Sequence, residues 1–398
     1  MGGVLNFIPG FVLIRRTLGI EVQSLELAPM SEPFAPALAS ITEAPPLIPT
    51  AQIDAAVAIL KRGGLVAFPT ETVYGLGANA ESVEALDRLY TVKGRPKGHP
   101  VIVHLANLNQ LTEWAEAIPD AAWRLAEAFW PGPLTLILNR TARVPDAVTG
   151  GQDTVGIRIP DHPVALQLLQ AFGGGVAAPS ANRFGRLSPT SAAHVQVDLG
   201  GDVDLILDGG DCRVGVESTI VAFREGLPVI LRPGMITAEQ IEAALAAESA
   251  SPPSASPVPG RGNLSPKPSP HSGSNLLNNT VSRAPGTLAS HYAPRTPLRL
   301  FSMKDIVAQL AQLEVSEVAS FKPMGVLARQ PQPPEFETGL HGVWIELADE
   351  PEAYARQLYA QLRALDQRQL SEIWVESVPD CGAWAAVADR LRRAAHQG

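Results

Sequence analysis

AQIDAAVAILKRGGLVAF, residues 51–68, decides the fold class. Its first fourteen residues carry apolar side chains at helical spacing and end in Gly-Gly, a helix with a C-terminal stop. The GLVAF that follows is a buried-strand run of residues 64–68. A helix feeding directly into a buried strand is the unit of an α/β sheet, and the unit recurs. VEALDRLYTVKG (83–94), AAWRLAEAFW (121–130) and residues 163–172, 191–199 and 237–247 fit helices. VIVHL (101–105), LTLIL (134–138), TVGIRI (154–159), GVAA (175–178), VDLILD (203–208), STIVAF (218–223) and VILR (229–232) fit strands. Elements mixed this densely, with hairpin-like strand pairs late in the series, predict a mixed α/β sheet domain over residues 50–247.

Composition changes on both sides of that domain. Residues 248–296 are dominated by Pro, Ser, Gly and Asn and carry too little apolar surface to offset the entropy of ordering, so they read as a linker. Beyond it, LRLF (298–301), DIVAQLAQL (305–313), VWIEL (343–347), PEAYARQLYAQLRAL (351–365), EIWVES (372–377) and AWAAVADRLRRAA (383–395) alternate strand with helix. That alternation predicts a small Rossmann-like α/β domain over 297–398. It contains no GxGxxG, so dinucleotide binding there has no support. Residues 1–49 are expected to be a non-core extension, with Met30 as a candidate start. Their apolar run VLNFIPGFVLI (4–14) holds Pro9, is too short to span a bilayer, and precedes its arginines where a signal peptide would follow them.

The chain of 398 residues has a formal net charge of -9 and only two cysteines, Cys212 and Cys381. Acidity argues against bulk electrostatic binding of nucleic acid, so any basic site is local. Two distant cysteines exclude a disulfide scaffold or thiolate zinc site and fit a reducing, cytoplasmic setting.

Against that acidic background KGRPKGHP (93–100) stands out. Lys93 and Arg95 flank a glycine, and Pro96 and Pro100 stiffen the backbone around them. A rigid loop with an Arg fork and a Lys point charge suits phosphate oxygens, and equally describes a solvated loop. AAPSANRFGRLSPTS (177–191) opens a buried strand into Ser180, Asn182 and Ser188, where open α/β sheets bind ligands. FPTETVYGLGANA (68–80) and GVESTIV (215–221) each set hydroxyls and a carboxylate beside a strand. Arg158 and Arg232 stand in apolar strands, where an unpaired charge costs several kcal/mol, so each requires a buried partner or an anionic ligand. His99 and His104, five apart, would face opposite sides of a strand, which argues against a shared metal site.

PTETVYGLGANA, KGRPKGHP, WPGPLT, TVGIRIPDHP, APSAN, GVESTIV and LRPG together, in this order, resemble the YrdC-like family. More narrowly they resemble its two-domain members, the L-threonylcarbamoyladenylate synthases. The likeness covers about residues 50–236, extends to SHYAP (290–294), and more loosely to the C-terminal domain. It implies a YrdC-like twisted mixed sheet and a reaction of L-threonine, bicarbonate and ATP to threonylcarbamoyl-AMP and pyrophosphate. The product would pass to downstream threonylcarbamoyl-transfer machinery and, through it, to the tRNA adenosine beside the anticodon. Carried over position by position, the resemblance assigns Lys93 and Arg95 to catalysis. It assigns Lys93, Arg95, His99, Thr154, Ser180, Asn182, Ser188, Arg232, His291 and Tyr292 to ATP. It assigns Thr72, His104, Arg158, Ala178 and Ser218 to threonine. Mg2+ is expected with ATP and no protein metal site is assigned. In PGTLASHYAP (285–294), the end of the linker, relatives often carry a basic residue before His291 that is lacking here; this end is expected to fold over the nucleotide. A double-stranded RNA or tRNA-binding module of the same fold is the alternative, weighed down by the acidic charge.

Overall fold

The structure, a computed structural model, describes residues 7–8, 11–13, 48–247, 284–286, 291–312, 323–337 and 341–396. Most of the expected extension and most of the expected linker lie outside the described residues. In chain order the strands are β1 (Phe7–Ile8), β2 (Phe11–Leu13), β3 (Val66–Phe68), β4 (Gly75–Asn79), β5 (Ile102–His104), β6 (Ala115–Glu116), β7 (Leu134–Arg140) and β8 (Thr154–Arg158). They continue with β9 (Val176–Ala177), β10 (Leu205–Ile206), β11 (Thr219–Arg224), β12 (Leu227–Arg232), β13 (Leu298–Phe301), β14 (Met324–Ala328), β15 (Gly342–Glu346) and β16 (Ile373–Glu376).

The opening stretch folds as read. Its helix, Thr50–Lys61, buries Ile53, Ala56, Val57, Ile59 and Leu60, the stripe a sheet-covering helix presents. In β3, Val66 and Phe68 join an apolar cluster with that helix and with Pro163–Phe172. Ala67 joins a different cluster with the Val83–Lys93 and Ala192–Asp198 helices. Successive strand side chains alternate between faces, so helices cover the sheet on both sides.

The sheet order is β1-β2-β12-β11-β7-β8-β5-β9-β4-β3-β10, with β6 beside β7. β3/β10, β5/β8 and β7/β11 pair in parallel, and β3/β4, β5/β9, β7/β8 and β11/β12 pair antiparallel, which makes the sheet mixed. β2 and β1 extend it beyond β12, with Val229 opposite Leu13.

β4 was not among the expected strands, because GLGAN lacks the apolar alternation that marks one. Its glycines are there for clearance. A Cβ on Gly77 would sit 2.9 Å from a ring carbon of Phe68 and 3.0 Å from a Val176 methyl. β14 was also missed; it lies wholly buried between β16 and β15.

The second sheet, β13-β16-β14-β15, is parallel throughout. Parallel neighbours need crossovers, supplied here by helices such as Pro351–Asp366. The two sheets meet through a shared apolar cluster. Val73, Leu187, Val214, Val216 and Tyr292 pack with Tyr354, Leu358, Tyr359 and Leu362. The second domain is thereby seated against the loops at the strand ends of the first.

Candidate anion-binding active site

The Val83–Lys93 helix starts at Ser82, whose side chain accepts from the Ala85 amide, and stops at Gly94 in the left-handed region. That stop places Lys93 in the last turn and Arg95 just past it. Lys93 Nζ donates to Ser180 O at 2.5 Å, Asn182 O at 2.9 Å and Asn182 Oδ1 at 3.1 Å. One buried ammonium therefore ties the Lys-Gly-Arg loop to the Ser-Ala-Asn loop. Arg95 Nη2 donates to Pro100 O at 2.8 Å, and its guanidinium lies 5.5 Å from the Phe184 ring centroid.

Arg232 ends β12 and reaches across to β11. It donates to Ser218 O at 2.9 and 3.2 Å, to Ser218 Oγ at 3.2 Å and to Pro285 O at 3.0 Å. Its Nη1 also donates to the Tyr292 hydroxyl at 3.4 Å. Pro285-Gly286 and His291-Tyr292 thus close over Arg232. Gly286 sits at φ 73°, and a Cβ there would fall 1.9 Å from the Tyr292 hydroxyl oxygen, so only glycine fits. Tyr292 itself takes φ 59°, a strained backbone for a tyrosine. The segment is pinned beyond that point, with the Ala293 amide donating to Gly185 O at 3.0 Å.

These loops enclose a narrow cavity of about 50 Å³. Thr72, Arg95, His104, Arg158, Ala178, Ser180, Ser218, Arg232, His291 and Tyr292 line it, with Thr70 and Glu217. Hydroxyls on the wall are linked: Thr70 Oγ1 and Thr72 Oγ1 are 2.8 Å apart, and Ser218 Oγ is 2.8 Å from Thr135 Oγ1 behind it. Arg158 is held by Glu71 at 2.7 Å in a pair that is almost wholly buried. The partner that β8 required is therefore a carboxylate.

Among the described residues Lys93, Arg95 and Arg232 have no such partner: every hydrogen bond each of them makes there ends on a neutral oxygen. Each is at least 94% excluded from solvent. Burial pushes all three below their ordinary basicity, and the like charge of a neighbour adds to the effect, Arg95 on Lys93 and Arg390 on Arg232. An anion entering the cavity relieves both terms. His104 and His291 are held down to about 3 by burial, so both are neutral near pH 7. Among the described residues neither ring nitrogen of His291 has a hydrogen-bond partner, although the ring is buried at the cavity wall. Glu217 goes the other way. Burial pushes it up, but Arg390 and Arg232 outweigh that and hold it at about 2.

A family model described as "Telomere recombination" (Sua5/YciO/YrdC) matches residues 58–234, and one described as "Threonylcarbamoyl-AMP synthase, C-terminal domain" matches residues 236–396. The threonylcarbamoyl-AMP synthase of Pyrococcus abyssi is 38% identical over 347 residues, 86% of this chain and 94% of that one. The chain belongs to the threonylcarbamoyl-AMP synthase family. The crystal structure of P. abyssi Sua5 complexed with L-threonine matches with a TM-score of 0.72, covering 88% of this chain and 96% of that one. A shorter member of the family, from Halorhodospira halophila, is 37% identical over 186 residues, which is 96% of its length but 47% of this chain.

Five residues that the family resemblance singles out do not line the cavity. Lys93 and Asn182 lie behind it, bonded to each other. Ser188 is turned away, its Oγ donating to Glu217 Oε1 at 2.5 Å. Thr154 starts β8 opposite Asn139. His99 lies in the turn before β5 with its ring edge-on to Phe184 at 5.6 Å. The strand-parity reading of the two histidines is corrected by this: only His104 is on the strand, and the turn alone separates them. Glu71 and Glu217 were visible as carboxylates beside strands but had no assigned role. Tyr359, Arg363 and Arg390, which reach the site's loops from the second domain, carried no local signal at all.

Proposed function

We propose that this chain joins L-threonine, bicarbonate and ATP into threonylcarbamoyl-AMP and pyrophosphate, for N6-threonylcarbamoyl modification of a tRNA adenosine. The observation that carries this reading is the convergence of two buried cations with neutral partners, Arg95 and Arg232, on one hydroxyl-lined cavity, with a third, Lys93, behind its wall. A triphosphate, a bicarbonate and an amino-acid carboxylate are all anions, and the site has positive charge to spare for them. Family membership supports the same reaction.

The chemistry needs no protein nucleophile. The threonine amine adds to the carbon of bicarbonate and a water is lost, giving a carbamate. A carbamate oxygen attacks the α-phosphorus, the bond to the β-phosphate oxygen breaks, and pyrophosphate leaves. Positioning and charge neutralisation are the protein's share. Arg95 and Arg232 are the cations best placed to meet phosphate oxygens, with Ser180, His291 and Tyr292 on the same wall. Lys93 and Asn182 fix the loop that carries Ser180. Thr72, His104, Arg158, Ala178 and Ser218 form the wall that we assign to threonine. Its carboxylate would share Arg158 with Glu71. We assign no cavity role to His99, Thr154 or Ser188 beyond supporting these loops.

Both carboxylates at the cavity are taken by arginines, and among the described residues no three metal-ligating side chains gather. Mg2+ is accordingly proposed to enter with ATP, held by phosphate oxygens, as part of the substrate. Among the described residues no helix is long and apolar enough to cross a membrane, and a cytoplasmic location is part of the same proposal. Pyrophosphate release measured with threonine and bicarbonate omitted in turn tests the reading. Release is expected only with all three substrates. Release that is indifferent to threonine contradicts it.

A further inference from the structure

Glu217 is an unlikely wall for an anion site. It lines the cavity, stays ionised, and precedes Ser218, the residue on which Arg232 is docked. Left alone, its carboxylate would repel incoming phosphates or draw Arg232 into an ion pair and remove that cation from the substrate. In the structure the second domain occupies that carboxylate instead.

Arg390 Nε donates to Glu217 Oε2 at 2.6 Å, and Nη2 to the Glu217 carbonyl at 3.3 Å. The Tyr359 hydroxyl donates to the same carboxylate at 3.1 Å. The guanidinium is aimed by Asp389 Oδ2, which accepts from Nη1 at 2.6 Å, and lies 5.2 Å from the Tyr292 ring centroid. Arg390 has a side chain with no solvent exposure. It thus touches the site's carboxylate, the backbone leading to Ser218, and the tyrosine that closes over Arg232.

We propose that Arg390, supplied by the C-terminal domain, is a positioning residue for this reaction: it neutralises and fixes Glu217 so that Arg232 stays available to the anionic substrates. This rests on the synthase reading above. It also gives the C-terminal domain a share in the chemistry, although a family member less than half this chain's length manages without one. In this chain the site is completed across the domain boundary.

The test is steady-state pyrophosphate release by the full chain as wild type, Arg390→Met, Arg390→Lys and the double variant Arg390→Met with Glu217→Gln. Arg390→Met is expected to raise the KM for ATP by about tenfold or more, since it exposes the substrate to an unbalanced carboxylate. Removing that carboxylate in the double variant should return KM to within about threefold of wild type. A merely structural arginine would lower the unfolding midpoint and leave the KM of the folded enzyme unchanged. An unchanged KM in Arg390→Met, or a double variant no better than the single one, overturns the assignment. Should Arg390→Met fail to fold, Arg390→Lys decides: an ammonium lacks the fork that holds the carboxylate and the carbonyl together, so a rise in KM that Glu217→Gln reverses is expected, and an unchanged KM or a rise that Glu217→Gln leaves in place contradicts the assignment. A wild type without threonine-dependent release would instead fault the functional reading.

Discussion

Two groups of buried cations lie in this chain, and they are treated differently. At the seam between the domains, Arg363 pairs with Asp198 at 2.6 Å, and Arg390 pairs with Glu217 and Asp389, each at 2.6 Å. Around the cavity, Arg95 and Arg232 on its wall and Lys93 behind it bond, among the described residues, only to carbonyls, hydroxyls and an amide oxygen. Taking a charge out of water costs several kcal/mol, so a cation left without a carboxylate is a standing deficit in stability. The seam cations carry their compensation with them. The cavity cations are those we propose to be compensated by the substrate. Arg158, at the cavity but paired with Glu71, stands between the two groups.

The largest contrast should appear on removing one member of the seam. Arg363→Met leaves the half-buried Asp198 without its partner and strips two backbone carbonyls, at Leu187 and Ser188, of their donor. A loss of about 3–5 kcal/mol is expected in denaturant unfolding. Turnover per folded molecule should fall by less than about tenfold; stability like wild type would break the comparison. Arg95→Met is the converse. Pyrophosphate release should drop about 10²-fold, roughly 2.7 kcal/mol of transition-state stabilisation, while the unfolding midpoint holds or rises.

A smaller effect sharpens the electrostatics of the wall. His104 is held to about 3 in the folded chain and returns to about 6.5 when unfolded. Below pH 6.5 the unfolded chain takes up a proton that the folded chain refuses, so stability is complete above that pH and declines as pH falls toward 3. Between pH 7.5 and 5 this one residue should cost on the order of 2 kcal/mol. His104→Gln should flatten the pH dependence of unfolding by up to one proton's worth of slope, and an unaltered slope would exclude the burial argument. The smallest effect is expected from deleting residues 250–280, which should leave turnover within about twofold, as a tether of polar residues requires. His291→Ala with Tyr292→Ala, at the end of the same segment, should lower it by about tenfold, since Arg232 and the cavity both lose a wall. Equal losses in the two would refute that division of the linker.

Much of the catalytic half was legible because its signals are local. Periodicity gave the Thr50–Lys61 helix and the strands flanking the cavity, and a basic loop stiffened by proline announced Lys93 and Arg95. Arg158 and Arg232 were legible as anomalies, charges in apolar strands, but the residues alone left open whether a carboxylate or a ligand answered them. The structure gives a different answer for each. β4 escaped because glycines chosen for close packing erase the alternation that reveals a strand. The seam escaped for a longer-range reason. Arg390 and Tyr359 read as ordinary residues of amphipathic helices, and Glu217, their partner, is more than 140 positions away in the chain. No local pattern encodes a pairing at that distance.

Arg232→Met puts the central contrast to the most direct test, with turnover and unfolding measured on the same preparation. Expected is a loss of about 10²-fold in threonine-dependent pyrophosphate release, with an unfolding free energy within about 1 kcal/mol of wild type or above it. A variant that keeps its turnover, or one that loses the 3–5 kcal/mol typical of a broken buried ion pair, would contradict the reading of Arg232 as a cation held for the substrate.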